Sequence, residues 1–170
     1  MAGLYRYFVE GECEKKLLHD FMYLDDHKGF IEGKIEVLNF INQRISKSFA
    51  RTIKRNTTVV IVIDTDVRNI SNLEYNIQLL KDVALLDDDH ILIVLSVSTF
   101  EDEIVYSTNI SNIHQLLSTK GKDEFKKKFI SHKDLLSKLT SVNFSIDKIW
   151  SRHANDPFDK YPNDGNRVKK

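Results

Sequence analysis

Two short acidic segments contain the residues best suited to chemistry. Glu10 and Glu14 lie four residues apart, and Asp64 and Asp66 flank a single threonine. If the second segment is extended, alternation of its side chains sends both aspartates to one side. Carboxylates this close repel each other unless a cation lies between them, and their hard oxygen atoms favour Mg²⁺ or Mn²⁺. The sequence therefore predicts a site for a divalent cation.

Each segment also has a purely structural interpretation. Asp64 and Asp66 could be a capping residue and a solvent-facing one. Glu10 and Glu14 could be acids placed near the start of a helix, where they match its dipole, with Gly11 allowing the backbone to turn tightly after a strand. Neither pair alone distinguishes a cation site from a structural role. The strands and helices that position the two pairs must therefore be considered.

Apolar runs rich in β-branched residues alternate with helical periodicity along the first two thirds of the chain, which predicts an α/β fold with about four parallel strands. The predicted strands are Leu4–Val9, Lys34–Phe40, Thr58–Ile63 and Ile91–Leu95. Helical spacing follows at Leu17 to Leu24, Ile41 to Ile53, Leu73 to Val83 and from about Phe100 onward.

The acidic residues fall where such strands end. Glu10 ends the first predicted strand, Asp64 and Asp66 end the third, and Glu101 follows the fourth. The carboxyl ends of parallel strands lie at one edge of the sheet, so these side chains are expected to converge there. The acidic run at 87–89 precedes its strand and is expected at the opposite edge, as a solvated loop.

The last third of the chain has a different composition. Residues 109–153 are predicted to form a lysine-rich helical extension, with one or two helices between Lys122 and Leu139, and the polar segment 154–170 is predicted to be a flexible tail. Nucleic-acid phosphates are the natural partners of its dense basic segment, although a solvated helix face explains the same pattern. The lysines concerned are Lys126, Lys127, Lys128 and Lys133.

Bulk composition limits the class of protein. A chain of 170 residues with 41% hydrophobic residues fits one globular unit. Its 25 basic and 25 acidic residues balance, so a polyanion would have to be bound by a local patch. The only cysteine, Cys13, excludes an internal disulfide and favours a reducing, cytoplasmic setting, and no apolar run is long enough to predict a membrane span.

Two segments resemble the signature of the Toprim family. They are V-E-G-E-C-E-K-K-L-L at Val9–Leu18 and V-I-V-I-D-T-D at Val60–Asp66. The E-G-x-x-E form before a leucine-rich helix is most similar to the OLD-like and RloB-like nucleases of bacterial defence systems. Phe100-Glu101 stands where RloB-like proteins have a Phe-Glu pair, but the Asn-Pro-Cys and the tryptophan of that group are missing here. The resemblance covers roughly residues 4–108.

The resemblance implies a Toprim (Rossmann-like) catalytic core over residues 1–108 and a metal-dependent nuclease acting on DNA or RNA in bacterial or phage defence. It implies that Glu10, Glu14, Asp64 and Asp66 hold one or two Mg²⁺ or Mn²⁺ ions, with Glu10 and Glu101 taking catalytic roles. Topoisomerases and primases of the family need additional modules for which this chain has no room. A partner ATPase or another defence protein is compatible with this assignment.

Two other functions remain open at the level of sequence. The first is a catalytically silent Toprim-like binding module, or one subunit of a two-protein defence system. The second is a flavodoxin-like phosphoacceptor domain, which also has acids at strand ends. The phosphoacceptor hypothesis leaves the Glu10–Glu14 segment without a role.

Overall fold

The computed structural model describes residues 4–26 and 29–170 and confirms an α/β architecture around one parallel sheet. The sheet has four strands in the order β2-β1-β3-β4, and every neighbouring pair is parallel. The strands are β1 (Leu4–Val9), β2 (Lys34–Val37), β3 (Thr57–Asp64) and β4 (Ile91–Ser96). Because all four run the same way, their carboxyl ends lie at one edge.

The central strand β3 is buried on both faces, as its unbroken apolar run predicts. Val60 and Val62 pack into the core on one face of the sheet, whereas Ile61 and Ile63 pack into the core on the other face. Helices cover both faces. The strand is buried between these two layers up to Ile63, and its last residue, Asp64, lies where β3 leaves the core.

Among the described residues, seven α-helices accompany the sheet: α1 (Glu12–Tyr23), α2 (Lys47–Ala50), α3 (Ser71–Leu79), α4 (Phe100–Tyr106), α5 (His114–Leu117), α6 (Lys122–Ser131) and α7 (Leu135–Ser141). A π-helical turn, Leu80–Ala84, continues α3, so the helix predicted up to Val83 is present. Within the part of the chain that the structure describes, no helix is long and apolar enough to cross a bilayer.

The helix predicted over 41–53 is mostly absent, and only the single turn α2 forms there. The buried side chain of Asn76 explains the difference. It donates to the carbonyl oxygens of Phe40 and Gln43 and accepts from the backbone N–H of Ile45. A side chain on α3 thus satisfies backbone groups that a helix would otherwise pair internally, and this long-range contact cannot be seen in local periodicity.

The lysine-rich extension begins with the single turn α5, and two helices, α6 and α7, follow where the sequence predicts one or two helices between Lys122 and Leu139. Their apolar faces, including Phe125, Phe129 and Leu139, belong to the same core cluster as Val9 of β1 and Leu17 of α1. The extension therefore shares one core with the sheet. Its position brings α6 against α1, close to the carboxyl edge of β1.

The segment 154–170 differs from the flexible tail that its composition predicts. Phe158 and Val168 are buried. The Asn163 side chain accepts from the N–H of Leu95 and donates to its carbonyl oxygen, and Asp164 accepts from the N–H of Ile93. Polar side chains in this segment thus satisfy the free backbone groups of β4, an edge strand that would otherwise be exposed.

A buried carboxylate joins the end of β4 to the C-terminal segment. Glu103, which is fully buried, accepts from the backbone N–H groups of Val97 and Trp150 and pairs with the guanidinium of Arg152 at 2.7 Å. The indole N–H of Trp150 in turn donates to the Ser96 hydroxyl at 3.2 Å. This network holds the last residues of β4 and the chain that follows them against the C-terminal segment.

Candidate active site

An open pocket lies at the carboxyl edge of the sheet, as the positions of the acidic residues predict. Five carboxylates and one ammonium group line it: Glu10, Glu12, Glu14, Asp64, Glu101 and Lys126. Different elements position them, since Glu10 follows β1, Asp64 ends β3, and the other four lie on α1, α4 and α6. The structure thus brings together acids that lie more than ninety positions apart in the sequence.

Glu10 is held in one orientation by hydrogen bonds to both of its carboxylate oxygens. Oε2 accepts from the backbone N–H of Asp64 at 2.7 Å, and Oε1 accepts from the side-chain amide of Asn39 at 2.8 Å. These bonds tie the ends of β1 and β3 and the loop after β2 to one carboxylate. Asn39 was not predicted from the sequence, although its place just after β2 puts it at the same edge.

Glu14 lies in the first turn of α1 and is only 6% exposed. Gly11, directly before α1, has an extended backbone with φ of −152°, so a tight turn is not the reason for glycine there. A Cβ at this position would lie 3.2 Å from Oε2 of Glu14, so glycine leaves room for that carboxylate. Burial and then the charges of Glu10 and Glu101 raise the pKa of Glu14 to about 7.

Asp64 contains the most unusual atom of the pocket. Its Oδ1 is buried and has no hydrogen-bond partner. Burial, followed by the charges of Glu10 and Glu14, raises the pKa of Asp64 from its usual 3.8 to about 8, against weaker opposing interactions with the Phe100 N–H and the Ser96 hydroxyl. Buried polar atoms without a partner are rare in folded proteins, so this oxygen calls for a proton or a cation.

Glu101 is compensated by lysines from α6. Its side chain is 10% exposed, with Nζ of Lys122 at 3.7 Å from Oε2 and Nζ of Lys126 at 3.9 Å from Oε1. Of the four lysines predicted to contact nucleic-acid phosphates, only Lys126 lines this pocket. Lys127 is exposed, and Lys128 and Lys133 line a different cavity.

Asp66 is exposed and does not line the pocket with Asp64. The residue between them accounts for this placement. The N–H of Thr65 donates to the carbonyl oxygens of Ser96 and Ser98, and its hydroxyl also donates to Ser96. These bonds fasten the chain to the end of β4 directly after Asp64, so the segment does not continue as a simple extended strand.

The acidic run at 87–89 lies at the other edge of the sheet, as predicted. Asp87 caps a short 3-10 turn that leads into β4, while Asp88 pairs with Lys81 and Asp89 approaches Arg167. None of the three lines the carboxylate pocket. Their charges are therefore available for matched control substitutions.

The oxygen donors of the pocket could hold a hard divalent cation. Within residues 4–26 and 29–170, no three His, Cys, Asp or Glu side chains already stand in a metal-binding arrangement. However, a divalent cation would satisfy the partnerless Oδ1 of Asp64 and would relieve the repulsion among the neighbouring carboxylates. Cys13 also lines the pocket, but burial raises its pKa to about 12, so it stays a thiol.

The raised pKa of Asp64 predicts a pH-dependent stability in metal-free protein. The folded carboxyl binds its proton more tightly than the unfolded one, so its contribution to stability is full below about 4 and is lost as the pH rises through about 8. We therefore expect Asp64→Asn to gain stability relative to wild type between pH values of about 5 and about 9.

Denaturant titrations in EDTA at both pH values would measure this gain, with Asp88→Asn, at the opposite edge, as the matched control. Equal pH dependence for wild type and Asp64→Asn would contradict the placement of an ionised Asp64 among other carboxylates. Adding Mg²⁺ or Mn²⁺ at the higher pH should stabilise wild type more than Asp64→Asn, since the cation replaces the missing proton.

Comparisons with protein-family models, with curated proteins and with solved structures give no significant match to this chain.

Proposed function

We propose that this protein is a metal-dependent nuclease that hydrolyses phosphodiester bonds in DNA or RNA with Mg²⁺ or Mn²⁺ in the carboxylate pocket. The observation that carries the proposal is the buried, partnerless Oδ1 of Asp64, in a pocket that four more carboxylates line at the carboxyl edge of a parallel sheet. Such a set of hard oxygen atoms fits these cations better than it fits a neutral ligand.

In this proposal, Asp64, Glu14 and Glu10 hold the cation. A divalent cation bound there would polarise a phosphodiester and lower the pKa of a water molecule. Glu10 is positioned by the Asn39 amide and the Asp64 N–H, so its carboxylate does not need to reorganise. Glu14, whose pKa lies near 7 without a cation, would lose its proton on binding.

The remaining groups of the pocket are assigned to the substrate. Lys126 brings an ammonium group into an otherwise acidic pocket, where it could meet a substrate phosphate. Glu101 lies within 4 Å of that ammonium and is available for proton transfer. The Toprim resemblance, with its link to defence nucleases of the OLD-like and RloB-like groups, supports the same assignment of Glu10 and Asp64.

A silent binding module is the second candidate function, and two observations favour it. Asp66 stands outside the pocket, and among the described residues no ready-made set of three metal ligands is present. A module of this kind would keep the fold and the acidic pocket but would not cleave nucleic acid. It would act through a partner protein.

Cleavage assays separate the two candidates. Purified protein is incubated with single-stranded DNA, double-stranded DNA and structured RNA, with Mg²⁺, with Mn²⁺ or with EDTA. We expect cleavage of at least one substrate with either cation and none with EDTA. Absence of cleavage of every substrate under both cations would favour the silent module, and cleavage that persists in EDTA would contradict a metal-dependent mechanism.

A further inference from the structure

A second polar cavity lies beside the end of α5 and the junction of α6 with α7. It shares no lining residue with the carboxylate pocket. No carboxylate of the described residues lines it, and its polar side chains are those of Ser118, Lys128, Ser131, His132, Lys133 and Lys138. The acidic carboxylate pocket and this basic cavity thus lie on opposite sides of α6.

Two of its ammonium groups are not neutralised. Lys128 pairs with Glu124 at 3.0 Å, but within residues 4–26 and 29–170 neither Lys133 nor Lys138 forms an ion pair. Asp134, the carboxylate nearest to them in sequence, instead accepts from the N–H of Ser137 as the N-cap of α7. Unpaired positive charge in a concave surface favours an anionic ligand.

The neighbouring histidine also offers a donor. The Nδ1 atom of His132 accepts from the backbone N–H of Asp134 at 3.2 Å, so a neutral ring carries its proton on Nε2. The Ser131 hydroxyl is already used, donating to the carbonyl oxygen of Lys127 at 2.8 Å. The side chains that remain available are therefore donors, and a ligand with several acceptor oxygens and negative charge matches them.

We propose that this cavity binds a backbone phosphate of the nucleic-acid substrate, away from the phosphate that is cut. The proposal rests on the nuclease function proposed above. Helix α6 connects the two cavities, since Lys126 lines the carboxylate pocket and Lys128, about 3 Å farther along the helix axis, lines the basic cavity. A strand crossing α6 would meet positive charge at both.

Oligonucleotide binding in EDTA tests the proposal without cleavage. Fluorescence anisotropy with labelled single-stranded DNA and RNA compares wild type with the double variant Lys133→Ala/Lys138→Ala. Because each phosphate contact on a single strand contributes a salt slope of about 0.7, we expect binding about tenfold weaker and a salt slope smaller by about 0.7.

The matched control is Lys47→Ala/Lys148→Ala, which removes the same charge from exposed positions outside both cavities and should change binding much less. Wild-type affinity in the Lys133→Ala/Lys138→Ala variant would overturn this proposal alone. Absence of oligonucleotide binding by wild type would overturn it together with the nuclease function. Inorganic phosphate that binds the cavity without affecting oligonucleotide binding would identify a free phosphate compound as the ligand and would also overturn it.

Discussion

Nucleic-acid cleavage by Asp64→Asn is expected to fall by at least about a hundredfold, the scale on which removal of one preorganised charged contact lowers an enzymatic rate. The amide keeps the shape of the side chain but removes the charge that balances the cation, and it replaces one acceptor oxygen by a donor. The fold should remain intact, because the buried Oδ1 has no hydrogen bond to lose. One repelling carboxylate also disappears, so stability should not decrease.

The measurement pairs a cleavage time course with a melting curve for the same preparation. Asp88→Asn makes the same chemical change at the opposite edge of the sheet, on an exposed side chain, and should cleave as wild type does. A well-folded Asp64→Asn protein that cleaves at the wild-type rate would refute the proposed cation site. A variant that loses cleavage but also unfolds would contradict the structural account of Asp64.

Glu103→Ala is expected to lower the free energy of unfolding by about 3–5 kcal/mol, the usual cost of breaking a buried ion pair. Glu103 is fully buried, and its removal leaves the N–H groups of Val97 and Trp150 without their acceptor and the Arg152 guanidinium with the Val97 carbonyl oxygen but no carboxylate. The C-terminal segment should also loosen from β4, since Trp150 and Arg152 anchor it there.

Chemical denaturation would measure this loss, and hydrogen exchange at Leu95 and Ile93 would report on the covering of β4 by the C-terminal segment. Glu74→Ala, which removes an exposed carboxylate paired with Lys160, is the matched control and should change stability by no more than about 0.5 kcal/mol. Similar stability for the two variants would contradict a central structural role for Glu103.

The parallel sheet was predictable because its strands are written in local sequence. The unbroken apolar runs of β3 and β4 require burial on both faces, and such burial is typical of parallel sheets. Long-range polar contacts were not predictable in this way. The irregular segment around Ile45 depends on the side chain of Asn76, and the ordered C-terminus depends on hydrogen bonds from Asn163 and Asp164 to β4.

The candidate site was predicted to the extent that strand ends determine it. Glu10, Asp64 and Glu101 follow three parallel strands and do meet in one pocket. The place of Asp66 was not predictable from alternation, because Thr65 bonds to the end of β4 and redirects the chain. Asn39 contacts Glu10 and Ser96 contacts Asp64. Because both residues are uncharged, the pattern of acidic residues does not predict them.

The position of manganese in crystals soaked in Mn²⁺ is the decisive test of the proposed cation site. Anomalous scattering identifies manganese without any assumption about the ligands. We expect an anomalous peak in the carboxylate pocket, within coordination distance of Oδ1 of Asp64 and of a carboxylate oxygen of Glu14 or Glu10. Crystals of Asp64→Asn should show no such peak. Manganese bound only elsewhere, or a pocket without manganese at saturating concentration, would contradict it.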